Sequence, residues 1–301
     1  MRRQAADCVR TEYYMERIVR NAYAKINLGL DVLRRREDGY HEVKMIMQTI
    51  GLYDTLTFTR KEEPGIELKI DRAGLDTGKG NLICRAAEML FAEAGISPGV
   101  EIFLEKRIPI AAGMAGGSTD AAAALLGLND LLELGYPLER LQALSVKLGA
   151  DIPYCLMGGT ALAEGIGEVL TKLPAPPPCV LTVAKPDIDV STKFVYENLH
   201  ADTLAFHPDI DGMEAAIRNG SLSGITERMG NVLETVTVRE YPVIDGIKEL
   251  MKAAGAENAL MSGSGPTVFG IFAEEETARK AAEQIKERGM AGQVFVTSFH
   301  A

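Results

Sequence analysis

The sequence predicts an α+β fold divided into two domains. Strand-like and helix-like patterns both run along the whole chain, but they do not alternate as regular βα units, which argues against a doubly wound parallel sheet. The length, 301 residues, suits two domains of roughly 100–200 residues better than one. The run Leu173-Pro174-Ala175-Pro176-Pro177-Pro178 is the clearest break, because consecutive prolines neither extend a helix nor donate to a sheet ladder. Residues 1–17 are therefore expected as an N-terminal extension, 18–172 as the first domain and 173–301 as the second.

Each element rests on a local pattern. Ile18 to Ala22 reads as strand, and Ile26, Leu28, Leu30 and Val32 continue at period two. Asp38-Gly39 is a hairpin signal, after which Val43, Met45 and Met47 alternate again. Leu56–Thr59 and Ile66–Ile70 add strands. Asn81 to Ala94 reads as a helix, with Leu82, Ala86, Met89, Leu90 and Ala94 on one face. Val100 to Ile108 reads as a strand, Ala121 to Leu132 as an Ala/Leu-rich helix, and Pro137 to Leu148 as a further helix stopped by Gly149. Beyond the prolines, strands are expected at 179–184, 259–261, 267–272 and 293–298. Helices are expected near 191–199, 213–219, 243–254 and 275–288.

Composition narrows the function classes. Acidic residues outnumber basic ones, 42 to 32, and the net charge of −10 suits neither a nucleic-acid backbone nor an anionic membrane. Neither is expected as a partner. Cys8, Cys84, Cys155 and Cys179 lie far apart, and with four histidines no metal-ligand spacing forms, so no protein metal site is expected. Free thiols, the lack of an apolar signal-peptide core and the absence of any ~20-residue apolar run make a cytoplasmic location the expectation.

The strongest chemical signal is Pro109-Ile110-Ala111-Ala112-Gly113-Met114-Ala115-Gly116-Gly117-Ser118-Thr119-Asp120, between a strand and a helix. Small residues let backbone N–H groups close on an anion, and the following helix start adds free donors and partial positive charge. The plainer reading is a tight turn in which Ser118 or Thr119 caps the helix. The spacing matches neither G-x-x-x-x-G-K-[ST] nor G-x-G-x-x-G.

Four weaker segments accompany it. In Ala22–Leu30, Lys25 and Asn27 are two apart in an apolar strand and share a face, although a lysine there can also extend to the surface. Asp151, in Leu148-Gly149-Ala150-Asp151-Ile152-Pro153-Tyr154, sits in a pinned loop where, taken alone, a capping or turn role is commoner than a catalytic one. Tyr40 and His41 follow the Asp38-Gly39 turn. Met261-Ser262-Gly263-Ser264-Gly265-Pro266-Thr267 reads as a Gly/Ser loop between strands.

Taken in order, AKINLGL, DGYHEV, PIAAGMAGGSTDAAAAL, LGADIPY and MSGSGPTVF resemble the GHMP superfamily of small-molecule kinases, from about Arg17 to the C-terminus. Within it the likeness is to the branch that phosphorylates a cytidyl diphosphate alcohol of isoprenoid precursor synthesis, because other branches lack the Tyr40–His41 turn. The resemblance implies an active site in a cleft between a nucleotide-binding and catalytic domain and a substrate-side domain. It implies ATP with Mg²⁺ as cofactors and a small-molecule substrate. A homodimer is compatible with it, although no residue pattern encodes one.

Residue by residue, the resemblance makes Lys25 and Asp151 the catalytic pair. Asp151 takes the proton of the attacking 2-hydroxyl, and Lys25 keeps Asp151 ionised and stabilises charge on the reacting oxygens. It gives Pro109 to Thr119 to the phosphates, with Asn81 and Lys106 on the adenine side. Asn27 falls near the reacting hydroxyl, and His41, Tyr40, Tyr196 and Thr192 fall at the cytosine. Gly263, Ser264 and Gly265 fall at the substrate diphosphate. Met114 and Thr119 stand where Leu and Ser are commoner, which leaves open whether Ser118 or Thr119 faces a phosphate or Mg²⁺.

Overall fold

The structure is a computed structural model and describes residues 15–301. It opens on a long antiparallel hairpin of β1 (Arg17–Arg35) and β2 (His41–Lys61). The turn lies at Asp38-Gly39: Gly39 takes φ 87°, and Asp38 Oδ1 accepts from the Tyr40 N–H at 3.1 Å. The two period-two runs expected before it are one strand, broken by register shifts between Tyr23 and Lys25, Asn27 and Gly29, and Val32 and Arg34. Pairing also reaches Glu16, whose carbonyl accepts from the Arg60 N–H at 3.0 Å. The described end of the expected extension is thus tied to the sheet, and residues 1–14 lie outside the described residues.

Next come β3 (Gly65–Ile70), α1 (Leu82–Ala94), β4 (Gly99–Glu105) and α2 (Gly116–Leu131). Strand β4 stops short of the expected Ile108 because the Asp54 carboxylate takes the N–H groups of Arg107 and Ile108 in place of a ladder partner. Helix α2 starts at Gly116 rather than Ala121, so the glycine segment supplies its first turns. Its N-cap position is Ala115 and makes no side-chain capping bond. The capping role considered for Ser118 or Thr119 is therefore excluded, since both are already helical.

Helix α3 (Leu138–Ser145) ends before the expected Leu148. The pattern missed α4 (Ile152–Met157), β5 (Thr160–Glu164) and β6 (Val169–Leu173), each too short to show a period. The proline run then leads into β7 (Val180–Lys185) and α5 (Thr192–Glu197), followed by α6 (Ile210–Arg218) and α7 (Leu222–Thr226). The chain closes with β8 (Gly230–Asn231), α8 (Glu234–Glu240), α9 (Val243–Ala253), β9 (Asn258–Met261), β10 (Val268–Phe272), α10 (Glu275–Glu287) and β11 (Gln293–Ser298).

Seven strands form a mixed sheet with order β3-β4-β2-β1-β8, extended by β5 on β2 and β6 on β5. The β3–β4 and β1–β8 pairs are parallel and the rest antiparallel. Four strands form an antiparallel sheet, β11-β7-β10-β9. The proline run joins one sheet to the other. Strand β8 belongs to the second half of the chain yet pairs with β1 at Gly29 and Leu30.

Three apolar clusters hold these layers. Leu56, Phe58 and Leu104 of the large sheet pack with Leu90 of α1 and with Leu125 and Leu128 of α2. Ile26, Leu28 and Ile46 meet Leu181, Leu260 and Phe269 of the small sheet, which fastens the two sheets together. Ile247, Met251, Ala281 and Ile285 of the last two helices pack with Phe272. Full burial of such a side chain contributes about 1.5–3 kcal/mol. Helix α2 approaches β2 closely because residue 127 is glycine; a Cβ there would stand 2.4 Å from the Phe58 ring. No helix among the described residues is long and apolar enough to cross a membrane.

Candidate active site

The hairpin, the start of α2 and the loop before β10 converge on a cavity of about 1170 Å³. On β1, Lys25 and Asn27 share a face as their spacing requires, with Lys25 Nζ donating to Asn27 Oδ1 at 2.8 Å. Lys25 is 5% exposed, so the lysine does not extend to the surface. Its Nζ stands 3.8 Å from Asp151 Oδ2, on the N-cap residue just before α4, and the Asp151 side chain is 35% exposed and lines the cavity. A buried cation thus sits behind a more accessible carboxylate.

The glycine segment forms one wall. Residues 111, 113 and 115 all take positive φ, 50°, 70° and 56°, and two of them are alanine. Alanine held there costs on the order of 1–3 kcal/mol, which a plain turn would avoid. Alternation of this kind can turn successive N–H groups toward one concavity, the backbone form of an anion nest at a helix start. Gly113 is required by contact as well, since a Cβ would lie 2.1 Å from the Ser262 carbonyl oxygen. Ser262 Oγ donates to the Gly113 carbonyl at 2.9 Å, locking the Gly/Ser loop against the glycine segment.

Pro109, Ile110, Ala111, Ala112, Gly113, Ala115, Gly116, Gly117 and Ser118 line the cavity. Met114 and Thr119 do not. The Met114 side chain is core, while its carbonyl accepts from the Lys25 N–H at 3.2 Å. Thr119 Oγ1 donates to the Tyr23 carbonyl at 2.8 Å and is turned away, so Ser118 is the hydroxyl that faces the cavity.

At one end of the cavity Asn81 caps α1, accepting from the Ile83 N–H at 2.9 Å, beside an apolar wall of Ile70, Leu75, Leu82 and Leu104. Sequence reasoning missed this wall, because isolated leucines and isoleucines carry no motif. Lys106 also lines the cavity, but its ammonium is held by Asp54 and by Asp120, the latter at 2.7 Å. Asp120 Oδ1 is buried without a hydrogen-bond partner. Burial raises the Asp120 carboxyl, opposed by Lys106 and reinforced by the charge of Asp54.

At the other end lie Tyr40, His41, Thr192 and Tyr196. The His41 and Tyr196 rings stand 5.1 Å apart at 39°, and Tyr40 is 61% exposed at the rim. Burial first, and then the charge of Arg35, lower the His41 pKa from its ordinary 6.5, so the imidazole is neutral at pH 7. Burial, then the charge of Asp151, raise the Tyr196 hydroxyl, which stays protonated. Thr192 Oγ1 and Ser264 Oγ are 2.8 Å apart, and Gly263, Ser264 and Gly265 complete the lining. Asn231 and Thr237, both missed in the sequence, hold this loop: Asn231 Nδ2 donates to the Met261 and Gly263 carbonyls at 2.8 Å each, and Thr237 Oγ1 donates to the Ser264 carbonyl at 3.2 Å.

Chemically, the cavity offers an anion nest, a carboxylate beside a buried ammonium, and two distinct recognition ends. Among the described residues, no three His, Cys, Asp or Glu side chains cluster to hold a metal ion. The Ser118 hydroxyl, facing the cavity, is an oxygen of the kind that a triphosphate-borne divalent cation takes.

Known proteins resemble this chain along most of its length. The models of the GHMP kinases N-terminal and C-terminal domains match residues 81–159 and 213–290. The chain is 52% identical over 283 residues to 4-diphosphocytidyl-2-C-methyl-D-erythritol kinase of Lachnospira eligens, covering 94% of this chain and 98% of that protein. It is 51% identical to the protein of that name from Lachnoclostridium phytofermentans, covering 95% and 98%. Among solved structures, a 4-(cytidine 5'-diphospho)-2C-methyl-D-erythritol kinase superposes with a TM-score of 0.79 at 35% identity, covering 94% of this chain and all of that one. A homoserine kinase from Cytophaga hutchinsonii reaches the same TM-score at 21% identity, a likeness of fold alone.

Proposed function

Because the chain belongs to the GHMP kinases, we propose that it is the ATP-dependent kinase that phosphorylates the 2-hydroxyl of 4-diphosphocytidyl-2-C-methyl-D-erythritol, a step of isoprenoid precursor synthesis. The observation that carries this reading is the Lys25–Asp151 pair beside the anion nest, with a neutral His41 against Tyr196 at the far end.

The adenine lies at the Asn81 end, the triphosphate lies in the nest from Pro109 to Ser118, and the cytosine meets His41, Tyr40 and Tyr196. Asp151 accepts the proton of the 2-hydroxyl as its oxygen bonds to the γ-phosphorus, the bond from that phosphorus to the bridging oxygen breaks, and ADP leaves. Lys25 orients Asp151 and offsets charge on the transferring oxygens, while Asn27 positions the attacking hydroxyl. Phosphoryl transfer asks mainly for placement and electrostatics, which such a set supplies. Ser118 would be the protein hydroxyl facing a bound Mg²⁺, which would supply neutralising charge to the triphosphate. On the same reading residues 18–172 form the nucleotide side and 173–301 the substrate side of the cleft.

Label transfer tests it. With γ-labelled ATP and the cytidyl alcohol, the label should appear as a monoester on the tertiary 2-hydroxyl; label on another hydroxyl, or only as inorganic phosphate, would refute the reading.

A further inference from the structure

Two buried aspartates share one ammonium beneath the glycine segment: Lys106 precedes the segment, Asp120 follows it, and Asp54 reaches them from the neighbouring strand. Asp54, on β2, is fully buried and accepts from the N–H groups of Arg107 and Ile108, where the chain leaves β4 for the loop. Lys106 pairs with that same Asp54 and with Asp120 at 2.7 Å, on α2 just past the loop. A Cβ on Gly116 would stand 3.2 Å from Lys106 Nζ, so the ammonium lies against the first turn of α2.

This arrangement is a poor device for stability. Asp120 is 3% exposed, shares with a second carboxyl the one cation paired with it among the described residues, and leaves Oδ1 without a partner there. A buried carboxyl so poorly paired is costly to ionise, in keeping with its raised pKa, and an apolar residue in its place is often neutral or stabilising. Asp54 is different: it has two backbone donors and Lys106.

We propose that Asp54, Lys106 and Asp120 form a clasp that closes the two ends of the phosphate-binding loop on each other, making Asp120 a positioning residue for the ATP phosphates. The clasp rests on the reading of residues 109–118 as the triphosphate cradle. It acts through the loop: Lys106 draws α2, with Gly116 to Ser118, toward the strand end at 106–108, and so sets the width of the nest. Without Asp120 the Lys106–Asp54 half remains, and the α2 side is free to move away.

The test compares the whole chain with Asp120→Ala and Asp120→Asn. MgATP affinity is measured by calorimetry, the KM of each substrate by steady-state kinetics, and stability by thermal melting. Asp120→Ala should weaken MgATP binding about tenfold, shift the cytidyl-alcohol KM by no more than about twofold, and leave the melting temperature unchanged or higher. Asp120→Asn keeps an acceptor for Lys106 and should recover most of the ATP affinity. Wild-type ATP affinity in Asp120→Ala would overturn the clasp, as would equal loss of both substrates together with a lowered melting temperature. Failure of the wild-type chain to bind MgATP would instead remove the cradle on which the clasp rests.

Discussion

Lys25 Nζ and Asp151 Oδ2 face each other at 3.8 Å, the lysine side chain 7% exposed and the aspartate 35%. The asymmetry suits their proposed roles. A residue that touches a substrate hydroxyl needs access, whereas one that balances charge works best away from water.

Asp151→Asn removes the base but keeps size and hydrogen bonding. Turnover should fall about 10²–10⁴-fold, the usual contribution of general-base catalysis, while MgATP affinity stays within about twofold. Single-turnover kinetics with calorimetry checks both.

His41 gives a pH signature. Its folded pKa lies below the ordinary 6.5, so the neutral ring is the state at pH 7 and protonation sets in only as pH falls below that ordinary value. Protonation turns the ring's acceptor nitrogen into a donor. The KM for the cytidyl alcohol should therefore rise as pH drops from 7 toward 5, while the KM for ATP does not follow. Stability linked to this residue follows the same sign, present above 6.5 and lost as pH falls through the depressed pKa. In His41→Ala the cytidyl KM should be raised at every pH and its dependence flattened.

Ser118 and Thr119 are adjacent but face different surroundings. Thr119→Val leaves the Tyr23 carbonyl without its donor and should cost about 1–3 kcal/mol of stability in denaturant unfolding. Ser118→Ala should leave stability within about 0.5 kcal/mol and reduce kcat/KM for ATP instead.

Gly127→Ala tests the packing of α2 on β2. With the added Cβ at 2.4 Å from the Phe58 ring, the helix or the ring must shift, and a loss of about 1–3 kcal/mol is expected in equilibrium unfolding.

The sequence patterns located most long elements and the main site segments, because period-two strands, the Asp38-Gly39 turn and the glycine segment are local signals. What remained hidden was non-local. That β4 ends at Glu105 depends on Asp54, some fifty positions earlier, capturing two N–H groups. That Thr119 turns away from the cavity depends on the Tyr23 carbonyl of β1, against which α2 packs. Asn231 and Thr237 had no motif, since their part is to hold the carbonyls of a distant loop. The short elements α4, β5 and β6 offered too few residues for a period to show. Lys106, which the resemblance put on the adenine side, is held by Asp54 and Asp120, two partners that no local pattern brings together.

Substrate-dependent ADP release tests the central claim most directly. The wild-type chain and Asp151→Asn are each supplied with MgATP and, in turn, the cytidyl alcohol, mevalonate and homoserine. The account predicts that only the wild type with the cytidyl alcohol releases ADP above the ATP-alone rate. Release with mevalonate or homoserine, or undiminished release by Asp151→Asn, would contradict it.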